Sequence, residues 1–142
     1  MLGINRRNAI IARENPRSAV RLVKDKAETK RVLANFGVPV PPTLLHLVDD
    51  ADVFAADWQR LPDAWVMKPV HGSMGRGVLV VRGRRNGTWI EASGGDVDTP
   101  RLVAHARSII DGEHTSGRHD AVIVEPLLVS HPPVQPPSSA AA

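Results

Sequence analysis

Lys68 and the glycines after it are the residues best placed to do chemistry. They lie in Ala64-Trp65-Val66-Met67-Lys68-Pro69-Val70-His71-Gly72-Ser73-Met74-Gly75-Arg76-Gly77-Val78-Leu79-Val80-Val81, an apolar run closed by a lysine, a loop with three glycines, then a second apolar run. Glycine lacks a Cβ, so the backbone there can take positive φ and approach a ligand closely. Successive exposed N–H groups in such a loop form a concavity suited to phosphate oxygens. Lys68 at its mouth can add a point charge on the same phosphates. Gly72, Ser73, Gly75 and Gly77 are therefore candidate phosphate-binding positions. No Lys-Ser or Lys-Thr comes after the last glycine, so this is not a Walker A loop. Gly77 leads into Val-Leu-Val-Val, a strand-forming run and not a helix, which argues against a dinucleotide fingerprint. The pattern predicts a phosphate clamp on a β-hairpin, with a plain glycine turn as the alternative.

Other reactive side chains are sparser. Arg21, Lys24, Lys26, Lys30 and Arg31 face Asp25 and Glu28 within one helical stretch; they read as a solvated basic face, or as one lysine reaching back to the glycine loop. Glu125 interrupts the apolar run Ala121–Val129, and a carboxylate there wants a partner or a task. Its plainer reading is an edge-strand glutamate facing water. His114 and His119, near Glu113 and Asp120, fall short of the four closed ligands of structural zinc; no metal site is expected. His71 is either a phosphate donor or an ordinary loop histidine, and Asp96 and Asp98 read as loop residues.

Positioning these groups requires an α/β (α+β) framework. Residues 1–16 form a mixed lead-in. Val20, Val23, Ala27, Val32 and Leu33 recur at helical spacing from about Ser18 to Phe36, as one helix or as two broken near Lys24-Asp25, with Gly37 and then Pro39, Pro41 and Pro42 as the stop. Thr43–Val48 reads as a buried strand. Asp49-Asp50 opens a helix expected to reach about Arg60, with Val53, Phe54 and Trp58 on one side. Asn86-Gly87 is a hairpin turn ahead of a strand at Trp89-Ile90. Ser93–Asp96 is loop, Pro100 to about Ile110 a helix, and Asp111–His119 a polar loop. Residues 131–142 form a Pro/Ser/Ala tail expected to be disordered.

Bulk properties narrow the functional classes. The 142 residues suit one domain, with ordinary apolar (42%) and charged (23%) fractions. No apolar run approaches the ~20 residues that span a bilayer, and Arg6, Arg7 and Asn8 interrupt any signal-peptide core. The absence of cysteine fits a cytoplasmic location. A net charge of +3 and a pI near 9.9 suggest an anionic partner. Aromatics at 4% and no tyrosine give little support to a nucleic-acid stacking platform.

The order of these pieces resembles the ATP-grasp superfamily of carboxylate–amine ligases. More narrowly, it looks like the alpha-L-glutamate ligase-like group, related to the ribosomal-protein glutamate ligase and to sugar-transfer-associated ATP-grasp domains. The matching residues are Leu2–Asn8 with Asn15-Pro16-Arg17, Asp25–Lys30 with Gly37–Pro41, Met67-Lys68-Pro69 with Gly72–Val78, and Val124–Leu128. The resemblance implies the N-terminal and nucleotide-binding portion of that fold, acting with ATP and Mg²⁺ through an acyl phosphate. It places Lys26 and Lys68 on the ATP phosphates and the loop from Gly72 to Gly77 over them. Glu125 would accept from the adenine amino group, with the Leu127 and Leu128 backbone completing the contact. Family members carry two acidic residues and an asparagine for Mg²⁺ beyond the adenine strand, whereas no Asp, Glu or Asn is found after Glu125 here. The expectation is thus a truncated chain, residues 17–130 being a partial domain whose catalysis is doubtful without a metal-binding half. Exposed apolar surface would then favour self-association. A non-catalytic basic module binding polyanions or nucleic acid is the alternative.

Overall fold

A computed structural model describes residues 3–129. The expected tail, 131–142, lies outside the described residues. The architecture is mixed, with helices against a six-stranded antiparallel sheet of order β1-β6-β2-β3-β4-β5. In chain order the helices are α1 (Ile4–Glu14), α2 (Arg17–Lys24), α3 (Lys26–Asn35), α4 (Asp50–Ala55) and α5 (Thr99–Ile110). The strands are β1 (Leu45–Leu47), β2 (Trp65–Pro69), β3 (Leu79–Arg85), β4 (Thr88–Glu91), β5 (Asp96–Val97) and β6 (Val122–Pro126).

Strand parity decides which side chains meet. In β2, Trp65, Met67 and Pro69 are buried on one face, while Val66 and Lys68 turn to the other. In β6, Val122 and Val124 join the hydrophobic cluster, so Ile123 and Glu125 share the face of Lys68. The cluster side is closed by α5 and α4, through Leu102, Ala106, Ile109 and Val53, and Trp65 meets Trp89 edge-to-face at 6.1 Å. The opposite face of β2 and β6 receives α3.

Several local expectations hold. β2 and β3 pair antiparallel on either side of the glycine loop. Asn86 (φ 52°) and Gly87 (φ 80°) make the tight turn from β3 to β4. Gly37 follows the end of α3 at φ 72°. A helix, α5, forms over the stretch expected to be helical from Pro100 to about Ile110, its N-terminus capped by Asp98 through the Arg101 N–H at 2.9 Å.

Of the two forms open to the helical stretch from residue 18, the structure takes two helices broken at Asp25, because the Asp25 backbone is extended and its side chain accepts from the Glu28 N–H at 2.8 Å, starting a new helix. Other expectations change. The lead-in contains α1, whose Ile4, Ile10 and Ile11 are exposed, an amphipathic signal too short to predict it. The helix opened by Asp49 stops at Ala55, and a single 3₁₀ turn, Trp58–Arg60, comes next. That break puts Val53 and Trp58 in the core and leaves Phe54 outside it, 67% exposed. The strand expected over 43–48 shortens to β1, and Asp96 belongs to β5. Glu125 faces no water at an edge: β6 lies between β1 and β2 and the residue is 4% exposed.

Candidate functional site

Glu125 sits between two ammonium groups. Its Oε1 accepts from Lys30 Nζ at 2.5 Å, and its Oε2 pairs with Lys68 Nζ. The β2–β6 register explains the second contact. Val66 stands opposite Glu125, so Lys68, two residues along on the same face, is its diagonal neighbour. Lys30 comes from α3, one turn after Lys26, and also donates to Thr43 Oγ1 at 2.7 Å. Burial by itself would raise the Glu125 pKa, but the hydrogen bonds from Lys30 and Lys68 outweigh it and hold the carboxyl below its usual range.

Lys26 meets the glycine loop. Its Nζ donates to Gly72 O at 2.6 Å and to Val70 O at 3.1 Å, and its own N–H donates to Val70 O at 3.2 Å. The first helical residue of α3 is thereby tied to the chain just after β2. Burial lowers the Lys26 pKa; the nearby Lys68 charge lowers it further, while Asp120, Asp25 and Glu125 act the other way. Lys26, Lys30, Lys68 and Glu125 line a hollow of about 350 Å³, whose apolar wall includes Leu33 and Val40. A second, wider cleft of about 870 Å³ lies on the other side of Lys26, bounded by the α2–α3 junction, the glycine loop and the loop after α5. Lys26 belongs to both.

The glycine loop is held from beneath. Gly77, at φ 70°, carries no Cβ; one placed there would stand 2.7 Å from the His114 ring and 2.9 Å from Pro69. Its carbonyl lies 3.1 Å from His105 Nε2, and His114 Nε2 lies 3.2 Å from Ser108 Oγ. Burial, opposed by the bond to the Gly77 carbonyl, depresses the His105 pKa. Gly72 and Ser73 line the wide cleft, whereas Gly75 and Gly77 line neither hollow. Leu127 and Leu128 also lie outside both; the Leu127 N–H donates to Ala64 O at 3.2 Å, and Leu128 is 69% exposed.

Two groups that chain order did not connect meet here. Asp120 is buried, and its carboxylate accepts from the His71 backbone N–H at 3.1 Å and lies 2.8 Å from His71 Nδ1. The other ring nitrogen of His71 is 3.5 Å from Asp25. His71 is therefore fixed by carboxylates. Nothing in the spacing of residues 71 and 120 signals that contact; Lys30, by contrast, was visible as the i+4 neighbour of Lys26. Among the described residues, no three or more His, Asp or Glu side chains gather as a metal centre needs.

The chain belongs to the sugar-transfer associated ATP-grasp family, whose sequence model matches residues 5–140. It is similar to cyanophycin synthetase of Trichormus variabilis (strain ATCC 29413 / PCC 7937), 36% identical over 107 residues, which is 74% of this chain and 11% of that protein. The cyanophycin synthetase of Nostoc sp. (strain PCC 7120 / SAG 25.82 / UTEX 2576) matches equally, at 36% over 107 residues, again 74% of this chain and 11% of that one. The mitochondrial alpha subunit of methylcrotonoyl-CoA carboxylase from Arabidopsis thaliana is 31% identical over 67 residues, 47% of this chain and 9% of that one. The chain thus spans about a tenth of the length of these relatives. No solved structure matches significantly.

Proposed function

We propose that this chain is the ATP-binding portion of an ATP-dependent carboxylate–amine ligase, of the glutamate-adding kind, working through an acyl phosphate. The observation that carries the reading is the convergence of Lys26, Lys30 and Lys68, from a helix and a strand, on one hollow beside the glycine loop. Lys30 and Lys68 share the one carboxylate of Glu125 and the Lys26 ammonium is held by two carbonyls, which leaves surplus positive charge in the hollow for a polyphosphate to offset. Lys26 and Lys68 would grip the phosphates, with Gly72 and Ser73 offering backbone N–H groups from the loop.

Glu125 has a double task in this reading. It holds Lys30 and Lys68 in place, and a carboxylate has about four acceptor positions, which leaves room for an adenine amino group. The Leu127 N–H is already spent on the sheet, so adenine would rely on its carbonyl and on Leu128. Family enzymes generally use Mg²⁺ with ATP, but the carboxylates beside the cleft do not fit a magnesium site. Asp25 caps α3, Asp120 holds His71 and Glu125 neutralises two lysines. No step through the metal is assigned to these residues. A cytoplasmic location accords with the lack of cysteine; no described helix is long and apolar enough to cross a membrane.

Calorimetric titration with MgATP tests the proposal. Lys26→Ala and Lys68→Ala are expected to weaken binding about tenfold or more each, the loss of one charge-assisted contact, with circular dichroism confirming the fold. Equal heats from wild type and both variants would refute the assignment.

A further inference from the structure

We propose that the wide cleft on the loop side of Lys26 binds the acceptor substrate, and that this acceptor carries two or more negative charges on carboxylate or phosphate groups. The inference rests on the nucleotide reading above, because Lys26 and Gly72 belong to the cleft and would present the phosphate end of a bound nucleotide to it. Four further cations line the same space: Arg21 and Lys24 from α2, Arg76 from the glycine loop and Arg118 from the loop after α5. Among the described residues none of the four is paired with a carboxylate. The acid on the cleft wall is Asp25, and its oxygens are engaged by the α3 N-terminus and His71.

Charge and size decide the class of ligand. A nucleotide gripped by Lys26, Lys68 and the loop does not use Arg21, Lys24 or Arg118. Like charges brought together from three segments repel one another, and an anion lying among them removes that repulsion. A single carboxylate, the group to be activated, would satisfy one or two of them. A volume of about 870 Å³ holds far more than one carboxylate. His71 also borders the cleft, its orientation set by the buried Asp120 at its Nδ1 and backbone N–H, with its Nε2 3.5 Å from Asp25. The arginines suit this task because a guanidinium matches planar carboxylate and phosphate groups with two parallel bonds.

The test titrates the full chain, saturated with MgADP, with citrate, 2,3-bisphosphoglycerate and acetate. Citrate or the bisphosphate should bind about tenfold or more tighter than acetate, and the tighter of the two identifies carboxylate or phosphate as the preferred group. An Arg21→Ala/Arg118→Ala double variant should lose about tenfold in that affinity while its MgADP affinity changes less than about twofold; both side chains are exposed, so folding is preserved. Polyanions binding no tighter than acetate, or a double variant binding them unchanged, would overturn the inference and leave the nucleotide reading standing. Tighter binding of a single-stranded RNA, with steep salt dependence, would overturn it in favour of a nucleic-acid partner. Loss of MgADP binding to wild type would strike the nucleotide reading itself; the same titrations without MgADP then still test the cleft.

Discussion

Glu125 shows how one residue can serve the fold and the site together. It is 4% exposed and bound by two ammonium groups, so its removal leaves Lys30 and Lys68 crowded without compensation. Glu125→Ala should destabilise the chain by about 2 kcal/mol, less than a fully buried pair because both lysines retain some access to water; urea unfolding measures this. The sign of its pH dependence is set by its depressed pKa. The folded state favours the ionised carboxyl more than the unfolded state does. Its contribution is complete above the ordinary value of 4.5 and is lost as pH falls through and below it. A Glu125→Gln variant should flatten that acidic limb of a stability–pH curve. Lys26 gives the complementary expectation. Its ammonium is disfavoured by burial and by Lys68, so MgATP affinity should begin to fall at a pH below the usual 10.5 of lysine, read by titrations at rising pH.

At the scale of elements, the glycine loop depends on what lies under it. Gly77→Ala would force a Cβ against the His114 ring and Pro69 at a positive φ, at a cost of about 1–3 kcal/mol, and should also weaken MgATP binding by moving Gly72 and Ser73. Asp25→Ala removes the cap that starts α3, costing about 1 kcal/mol and loosening the helix that carries Lys26 and Lys30. His105 adds a pH effect of its own. Its folded pKa lies below the ordinary 6.5, so above that value the ring is neutral in both states and nothing is lost. As pH falls through 6.5 the unfolded chain takes up the proton more readily, and stability declines. The facing groups are His114 and Arg101, which disfavour the imidazolium, and Glu91, which favours it. The protection factors of amides in residues 72–78, taken relative to the intrinsic exchange rate at each pH, should fall over the same range.

For the whole molecule, the sheet separates two jobs by face. One face buries Trp65, Met67, Trp89 and the α5 contacts, while the other carries Lys68 and Glu125 under α3. Trp89→Ala should therefore cost about 3–5 kcal/mol in unfolding free energy and leave the lysine cluster's geometry intact in whatever fraction stays folded. Much of this plan was legible in the amino-acid order. Alternation in Trp65–Pro69 sets the face of Lys68, Asn86-Gly87 dictates the tight turn, and the strand–lysine–glycine–strand pattern marks the loop, because each depends only on neighbours along the chain. The limits were equally local. No periodicity distinguishes one helix from two across Asp25 unless its side chain is seen to cap, and Phe54 and Trp58 share a helical face only if the helix continues past Ala55. What the tertiary structure alone decided were the pairings at long separation: Lys30 with Glu125, Lys26 with Gly72, His71 with Asp120. Those contacts depend on how α3 and the loop after α5 dock beside the sheet. Packing chooses that docking, and the spacing of residues along a chain carries no record of it.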